Sequence, residues 1–375
     1  MMDPHEDYTD FSFSLDKHIH NTTDGVLYPE TILTRTLWKV VPIVLLVFGT
    51  FGNLASLMVM TRKVLRETPV GILLATLAVS DLVVLWVGLM RHILRAYGVV
   101  ELRYISTFAC HITRFLTYFS MDFSAWVLVA VTVDRFIAVC MPTRAVDLCT
   151  VRKAALSLMV IAALITAKTM HVFWTRGSEN VTLDGNVTVI YVCGYTSDGD
   201  RYFWQHVLPW VVFCIYVSGP FLTMIVLNIL IIKGLFKIEQ RRWRLSNRST
   251  ETGTGNGLLD HYPSDRNADG HTAGRRSDQQ EGPLLPVRSL TIMLLAVSIS
   301  FLLLSFPAFI NRMVQSYWKR DIASAREKAR LDLTEVMVLM LNYTNHSINF
   351  FLYCLTGRRF RKELKLCFRD VMRCN

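Results

Sequence analysis

The sequence predicts an all-α membrane protein: a seven-transmembrane helix bundle with a C-terminal amphipathic helix and an extracellular β-hairpin. Three observations predict it. Hydrophobic residues make up 52% of the 375 and charged residues only 19%, below the roughly 25% of soluble domains. The apolar residues gather into seven runs, each with about the 20 residues that cross a ~30 Å hydrocarbon core as a helix. Lys and Arg then alternate in density from one connection to the next. A soluble helical core is the bland alternative, but soluble helices this long normally keep a charged face.

The runs are roughly Val40–Met60, Val70–Met90, Phe115–Met141, Ala154–Trp174, Val207–Ile232, Leu290–Ile310 and Val336–Leu355. Segments following spans one, three, five and seven hold 23 Lys and Arg, against 15 in the N-terminal tail and the segments after spans two, four and six. The positive-inside rule therefore puts the N-terminus outside and the C-terminus in the cytoplasm, and a multi-pass protein of the plasma membrane is expected. The segment after span six is basic and runs against the trend. This placement assigns the net charge of +10 to loops and membrane surfaces, and no nucleic-acid partner is expected.

Residues 1–35 are acidic and polar, without the apolar core of a cleaved signal peptide. They predict an extracellular, glycosylated tail before the bundle of residues 36–356. Sequons at Asn21, Asn180 and Asn186 all fall on the predicted outer side. The sequons at Asn342 and Asn345 fall inside span seven and are expected to stay bare.

Cys110 ends span three on the outer side and Cys193 lies in the loop after span four, so both face an oxidising compartment and can form a disulfide. In that loop Asp184-Gly185 separates two β-branched runs, which predicts a hairpin; a plain loop is the alternative. Residues 238–286, rich in Gly, Ser, Asn, Asp and Arg, predict a disordered cytoplasmic loop. Residues 357–375 carry Phe360, Leu364 and Cys367 or Phe368 at helical spacing among basic residues, which predicts a helix lying on the inner leaflet of the bilayer. Palmitoylation of Cys367 or Cys374 is one reading of its thiols and unmodified cysteine the other.

Polar groups inside spans are costly and usually functional. Asp81, Asn53, Ser124, Asn345 and Asn349 stand mid-span. One carboxylate with several neutral oxygens can hold a small hard cation or close the bundle as a hydrogen-bond network. At the inner end of span three Asp134 and Arg135 are adjacent, a restrained charge that an opening bundle would release. Asp122 and Lys168 are placed to pair across spans three and four.

In order along residues 36–370, these features resemble a rhodopsin-like (class A) G-protein-coupled receptor. Gly52-Asn53, Leu77–Asp81, Asp134-Arg135-Phe136, Pro220, Phe301, Pro307 and Asn349–Tyr353 carry the resemblance. It implies a Cys110–Cys193 disulfide, an activation set of Asp134, Arg135, Phe136, Phe301, Pro307, Asn349 and Tyr353, and a sodium ion held by Asp81 and Ser124 that favours the inactive state. It further implies heterotrimeric G protein and arrestin as partners and no required cofactor. The segment Asn345–Leu364 is similar to invertebrate neuropeptide receptors of the FMRFamide type.

The departures are specific. Leu304-Ser305-Phe306-Pro307 lacks the usual tryptophan before the proline of span six. Span four lacks its mid-helix tryptophan. Asn228 stands where span five usually has tyrosine, Phe350 where span seven has proline, and Val287 where span six has an acid. A weaker inactive-state latch is expected. No aspartate stands at Thr117, so an amine ligand lacks its counter-ion, and Tyr343 stands where opsins have the retinal lysine. The outer halves offer Arg91, Arg95, Arg114 and Arg312 instead, with Thr117, Tyr118 and Tyr343. Guanidinium groups suit bidentate carbonyl or carboxylate partners; snorkelling to lipid headgroups is the alternative. An extracellular peptide is the expected ligand, an acidic small molecule or lipid the alternative. A transporter would show related halves, and no catalytic constellation is present, so no enzyme is expected. Phosphorylation for arrestin would fall on Ser246, Ser249, Thr250, Thr252 or Ser277, since Thr356 is the one hydroxyl after span seven.

Overall fold

Apolar side chains cover much of the outside of this protein, and polar ones stand among the apolar residues of its middle. On the first helix Phe48 and Phe51 are each 56% exposed, while Asn53 is 2% and, on the second, Asp81 0% exposed. That arrangement suits a lipid solvent, in which backbone groups must bond within the segment and helices associate by packing and polar bonds.

A computed structural model describes residues 28–183, 186–253, 284–317 and 324–374. Among them, α1 is Pro29–Met60, α2 Pro69–Ala96 and α3 Thr107–Cys140. Helix α4 is Val151–Thr169, α6 Leu284–Tyr317, α7 Ala325–Thr356 and α8 Arg358–Cys374. Helix α5 covers residues 198–253, of which Gly219–Gly253 is regular α-helix. Six of these are long and apolar enough to cross a membrane. Helix α7 is also long enough at 32 residues, but Asn342, Asn345, His346, Ser347 and Asn349 dilute it, and all five are buried against the bundle.

Local chemistry sets the helix starts. Pro29 and Pro69 stand at first-turn positions, where a missing N–H costs nothing. Thr68 Oγ1 accepts from Gly71 N at 3.1 Å, and Ser106 Oγ from Ala109 N at 3.2 Å. Ser324 caps Glu327 N at 3.2 Å, with the Ser-x-x-Glu spacing of a capping box. Helix α5 widens into a π turn at Phe213–Ser218. Such a turn would pair the N–H of residue 220 with the carbonyl of residue 215. Residue 220 is proline, and Trp126 Nε1 donates to Ile215 O instead, at 3.1 Å.

Several boundaries differ from expectation. Helix α1 begins at Pro29, so the tail is shorter than residues 1–35. Helix α5 runs to Gly253, so the segment expected to be disordered from 238 starts as helix; a transmembrane helix supplies the nucleus, and only propagation remains. Residues 325–330, expected in a basic loop, form the first turns of α7. The hairpin is present as β1 (Arg176–Leu183) and β2 (Asn186–Tyr195), antiparallel, with Asn180 opposite Val189 and Leu183 opposite Asn186. Asn21, Asp184, Gly185 and residues 254–283, Ser277 among them, lie outside the described residues. So do the side chains of Asn180, Asn186, Val287, Arg312 and Ser246, Ser249, Thr250 and Thr252.

Helix α3 is the axis of the core. Val127, Leu128 and Val131 on it are buried with Leu74 and Leu77 of α2 and Met224 of α5. At the end remote from the hairpin, α7 turns into α8 at Gly357. A Cβ there would stand 2.5 Å from Met293 Sδ and 2.7 Å from Tyr353 O, so only glycine fits between α6 and α7. Arg62, in the turn after α1, then holds α8 through Glu363 at 3.1 Å and Asp370 at 2.8 Å. Those bonds hold the Asp370 carboxyl below its usual range. The same Arg62 lies 3.6 Å from Cys367 Sγ, and Cys367 is 5% exposed. Its thiol faces the bundle rather than lipid, which removes it as an acyl acceptor in this arrangement; the Cys374 side chain is outside the described residues.

Candidate functional site

Three polar groups of side chains follow one another down the bundle axis. The first lies under the hairpin. A disulfide joins Cys110 of α3 to Cys193 of β2, with Cα atoms 5.6 Å apart, and pins the strand over the open end. Arg114, one turn deeper, donates from Nη2 to the Cys193 carbonyl at 3.3 Å and from Nη1 to Tyr118 Oη at 3.5 Å. It is 7% exposed and stands 5.9 Å from the Trp204 ring. Arg91 bonds Gly88 O of its own helix at 3.2 Å and faces Tyr343 and Tyr118. Thr117 is bonded within α3, to Thr113 O at 2.8 Å. Tyr343 is 1% exposed and meets His92 edge-on at 5.9 Å, and His92 stacks on Trp38 at 4.7 Å.

Arg95 sits differently from Arg91 and Arg114. It is ion-paired to Glu101, which also takes Arg103 at 2.7 Å. Burial, with Arg91 nearby, pushes the Arg103 pKa down to about 10 even so. Glu101 and Arg176 were not legible from spacing. Arg176 is wedged between Tyr195 and Trp204, 3.8 and 4.0 Å from their ring centres, a cation–π stack that fixes the hairpin's root. Arg91 and Arg114 thus form no ion pair among the described residues. Two guanidinium groups without an ion pair, beside an Arg95–Glu101–Arg103 cluster, suit an acceptor-rich or anionic ligand.

The second group is centred on Asp81. Ser124 Oγ donates to its Oδ1 at 2.8 Å, and Asn349 Nδ2 to its Oδ2 at 2.7 Å. His346 Nδ1 reaches Oδ1 at 2.7 Å. The imidazole was visible in the sequence as a polar residue in an apolar run, but only packing brings it to Asp81. Asn53 does not touch Asp81; its amide donates to Gly49 O and His346 O, both at 2.9 Å. Asn345 is 2% exposed and contributes no bond to Asp81 among the described residues. Asp122 and Lys168 form the expected ion pair between α3 and α4.

The third group lies at the α8 end. Arg135 folds onto Asp134, with Nε 3.0 Å from Oδ2. A cavity of about 260 Å³ opens beside Arg135, lined by Leu74, Ser289, Met293 and Phe360 among others. Phe136 is half-buried on the next position. Tyr353 is 1% exposed and packs on Phe360 at 5.4 Å. Phe301 of α6 packs on Phe221 of α5 at 5.3 Å, and Phe221 also meets Phe309 edge-on at 5.5 Å. Pro307 lies between Phe301 and Phe309 in sequence, within the same helix. Asn228 donates to Ser298 Oγ at 2.9 Å, tying α5 to α6. Neither Phe221 nor Ser298 carried a signal of its own in the sequence.

A family model described as "7 transmembrane receptor (rhodopsin family)" matches residues 52–353. The chain is similar to an FMRFamide receptor of Drosophila melanogaster, 22% identical over 335 residues, 86% of this chain and 52% of that one. It is similar to a thyrotropin-releasing hormone receptor of Homo sapiens, 26% identical over 360 residues, 91% of this chain and 81% of that one. A sex peptide receptor-related protein 2 of Caenorhabditis elegans is 22% identical over 359 residues, 87% of this chain and 70% of that one. The chain thus spans about half the length of the fly receptor.

Proposed function

The chain belongs to the rhodopsin family of seven-transmembrane receptors, and from that premise we propose that it is a neuropeptide receptor coupled to a heterotrimeric G protein. It is a multi-pass membrane protein, and in this reading the N-terminus and hairpin are extracellular and α8 lies on the cytoplasmic leaflet. Signalling, not catalysis, is its activity.

The observation that carries the ligand class is the pair Arg91 and Arg114. Arg114 bonds the Cys193 carbonyl of the disulfide-tethered hairpin, Arg91 bonds Gly88 O of its own helix, and neither forms a salt bridge among the described residues. A short extended peptide offers carbonyls, or an acidic side chain, for two guanidinium groups to bind. The relatives named above, receptors for FMRFamide and thyrotropin-releasing hormone by name, support a peptide. An acidic small molecule or lipid satisfies the same charges and is the second reading.

Activation proceeds as a population shift. The agonist favours a bundle in which α5 and α6 have parted at the cytoplasmic end, by its difference in affinity for the two states. Parting breaks the Asn228–Ser298 bond and opens the cavity beside Arg135 to the G protein. Arrestin then reads phosphorylated hydroxyls of the 238–286 loop, of which residues 238–253 continue α5.

A peptide-library screen on transfected cells, read by guanine-nucleotide exchange, tests the proposal. Arg91→Gln and Arg114→Gln each lower agonist potency by about 10- to 100-fold, the loss of a charge-assisted bond of about 1.5–3 kcal/mol, at unchanged surface expression. Activation by acidic metabolites or lipids, with no response to peptides, selects the second reading.

A further inference from the structure

We infer that the His346 imidazole takes the place beside Asp81 that a sodium ion would need, so that this polar core is closed by a side chain and not by a cation. The ring is fully buried, with Nδ1 2.7 Å from Asp81 Oδ1. An ionised Asp81 only accepts hydrogen bonds, so beside it Nδ1 carries the hydrogen.

The donor set decides against a hard cation. Asp81 offers about four lone-pair directions. Ser124 Oγ and His346 Nδ1 occupy Oδ1, and Asn349 Nδ2 occupies Oδ2. Two of those three partners are nitrogens presenting hydrogen, which repel a metal ion. A hard cation needs several oxygen ligands at once. Asn53, the other amide nearby, turns its NH₂ to Gly49 O and His346 O, outside this set. Ser124 and Asp81 are brought together as the sequence predicts, but the third member of the set is an imidazole that fills the space between α2 and α7.

The geometry also says why one histidine suffices. His346 and Asn349 lie three residues apart, on one face of α7, so a single helix delivers donors to both carboxylate oxygens. A sodium ion would have to displace the ring and bring its own water. The Nε2 edge has no partner among the described residues, so the ring is held from the Asp81 side.

Thermal unfolding of the purified full-length chain in detergent tests this, in NaCl against choline chloride at equal ionic strength. The wild-type midpoint is expected to be the same in both salts. His346→Ser removes the ring and adds an oxygen, and its midpoint is expected to rise in NaCl alone, an increment that Asp81→Asn abolishes. A wild-type midpoint raised by sodium and made insensitive by Asp81→Asn overturns the inference, whether or not His346→Ser folds. A folded His346→Ser without a sodium increment overturns it as well. No agonist or G protein enters these measurements, so they stand apart from the receptor reading, which goes unused here.

Discussion

The Cβ that Gly52 lacks would stand 2.9 Å from the Cβ of Phe350. Real Cβ atoms do not approach so closely, and neither atom is the end of a flexible chain, so α1 and α7 would have to separate. Phe350, 8% exposed, is wedged there between Phe51 at 5.9 Å and Phe360 at 5.9 Å. Gly52→Ala is expected to destabilise the bundle by about 1–3 kcal/mol, the range for overpacking a filled core. Gly52→Ala with Phe350→Gly is expected to cost less than the sum of the two single changes, because the clashing Cβ is gone. The check is the unfolding midpoint of the four proteins of this cycle. Strictly additive losses would show that the two positions are not in contact.

Asn228 and Ser298 exchange two hydrogen bonds, Nδ2 to Oγ at 2.9 Å and Oγ to Oδ1 at 3.2 Å. Interhelical bonds in a bilayer average about 0.6 kcal/mol, which is about threefold in a two-state equilibrium. Ser298→Ala should therefore raise ligand-free nucleotide exchange about threefold. Ser300→Ala is the control: its hydroxyl bonds Ala296 O within α6, at 2.7 Å, and basal exchange should not change. Asp134→Asn frees Arg135 and should raise basal exchange as well. A flat response to both Ser298→Ala and Asp134→Asn would remove the latch from the mechanism.

The spans were legible because a bilayer demands apolar runs of fixed length, and Asp81 stood out because nothing apolar explains a carboxylate in one. The extensions were not. The outer turns of α1, from Pro29, and the first turns of α7 are polar and lie where hydropathy is silent; their signals were capping ones, Pro29 and the Ser324–Glu327 spacing. Helix α5 outran its expected end because loop composition masks a helix already nucleated. Site residues divide the same way. Ser124 and Asn349 announced themselves as polar groups in apolar runs, and Arg114 as a cation just outside one. Glu101 and Arg176 lie in connections, where charged residues are ordinary. His346 was visible but unplaced, since its partner Asp81 is 265 residues away and only the packing of α2 on α7 decides which polar groups meet.

Asp122 and Lys168 are 4% exposed and half-buried respectively, and paired between α3 and α4. Asp122→Asn would leave an ammonium group without its counter-charge at bilayer depth. Breaking such a pair from one side costs about 3–5 kcal/mol. Each single neutralisation, Asp122→Asn or Lys168→Met, is expected to reduce surface expression sharply. The exchanged pair, Asp122→Lys with Lys168→Asp, should restore much of it, since the charges still meet. Flow cytometry of an N-terminally tagged chain measures this; an exchanged pair that expresses no better than the worse single variant refutes the coupling.

Asp332 lies outward of the apolar part of span seven, and its carboxyl is pushed up to about 7. Burial is the main cause; Lys328 opposes it and Glu335 adds to it. The sign follows from linkage. In the unfolded chain the group ionises near 4, while in the folded protein it keeps its proton to about pH 7. Between those values the unfolded state binds fewer protons, so stability falls as pH rises, and the loss is complete above pH 7. Asp332→Asn never ionises. Its unfolding midpoint, relative to wild type, should therefore climb between about pH 5 and pH 7 and level off above. Lys328→Gln should act oppositely, since it removes the one charge that favours the carboxylate. Midpoints of Asp332→Asn that run parallel to wild type from pH 5 to pH 8 would show that the carboxyl titrates as it does in solvent.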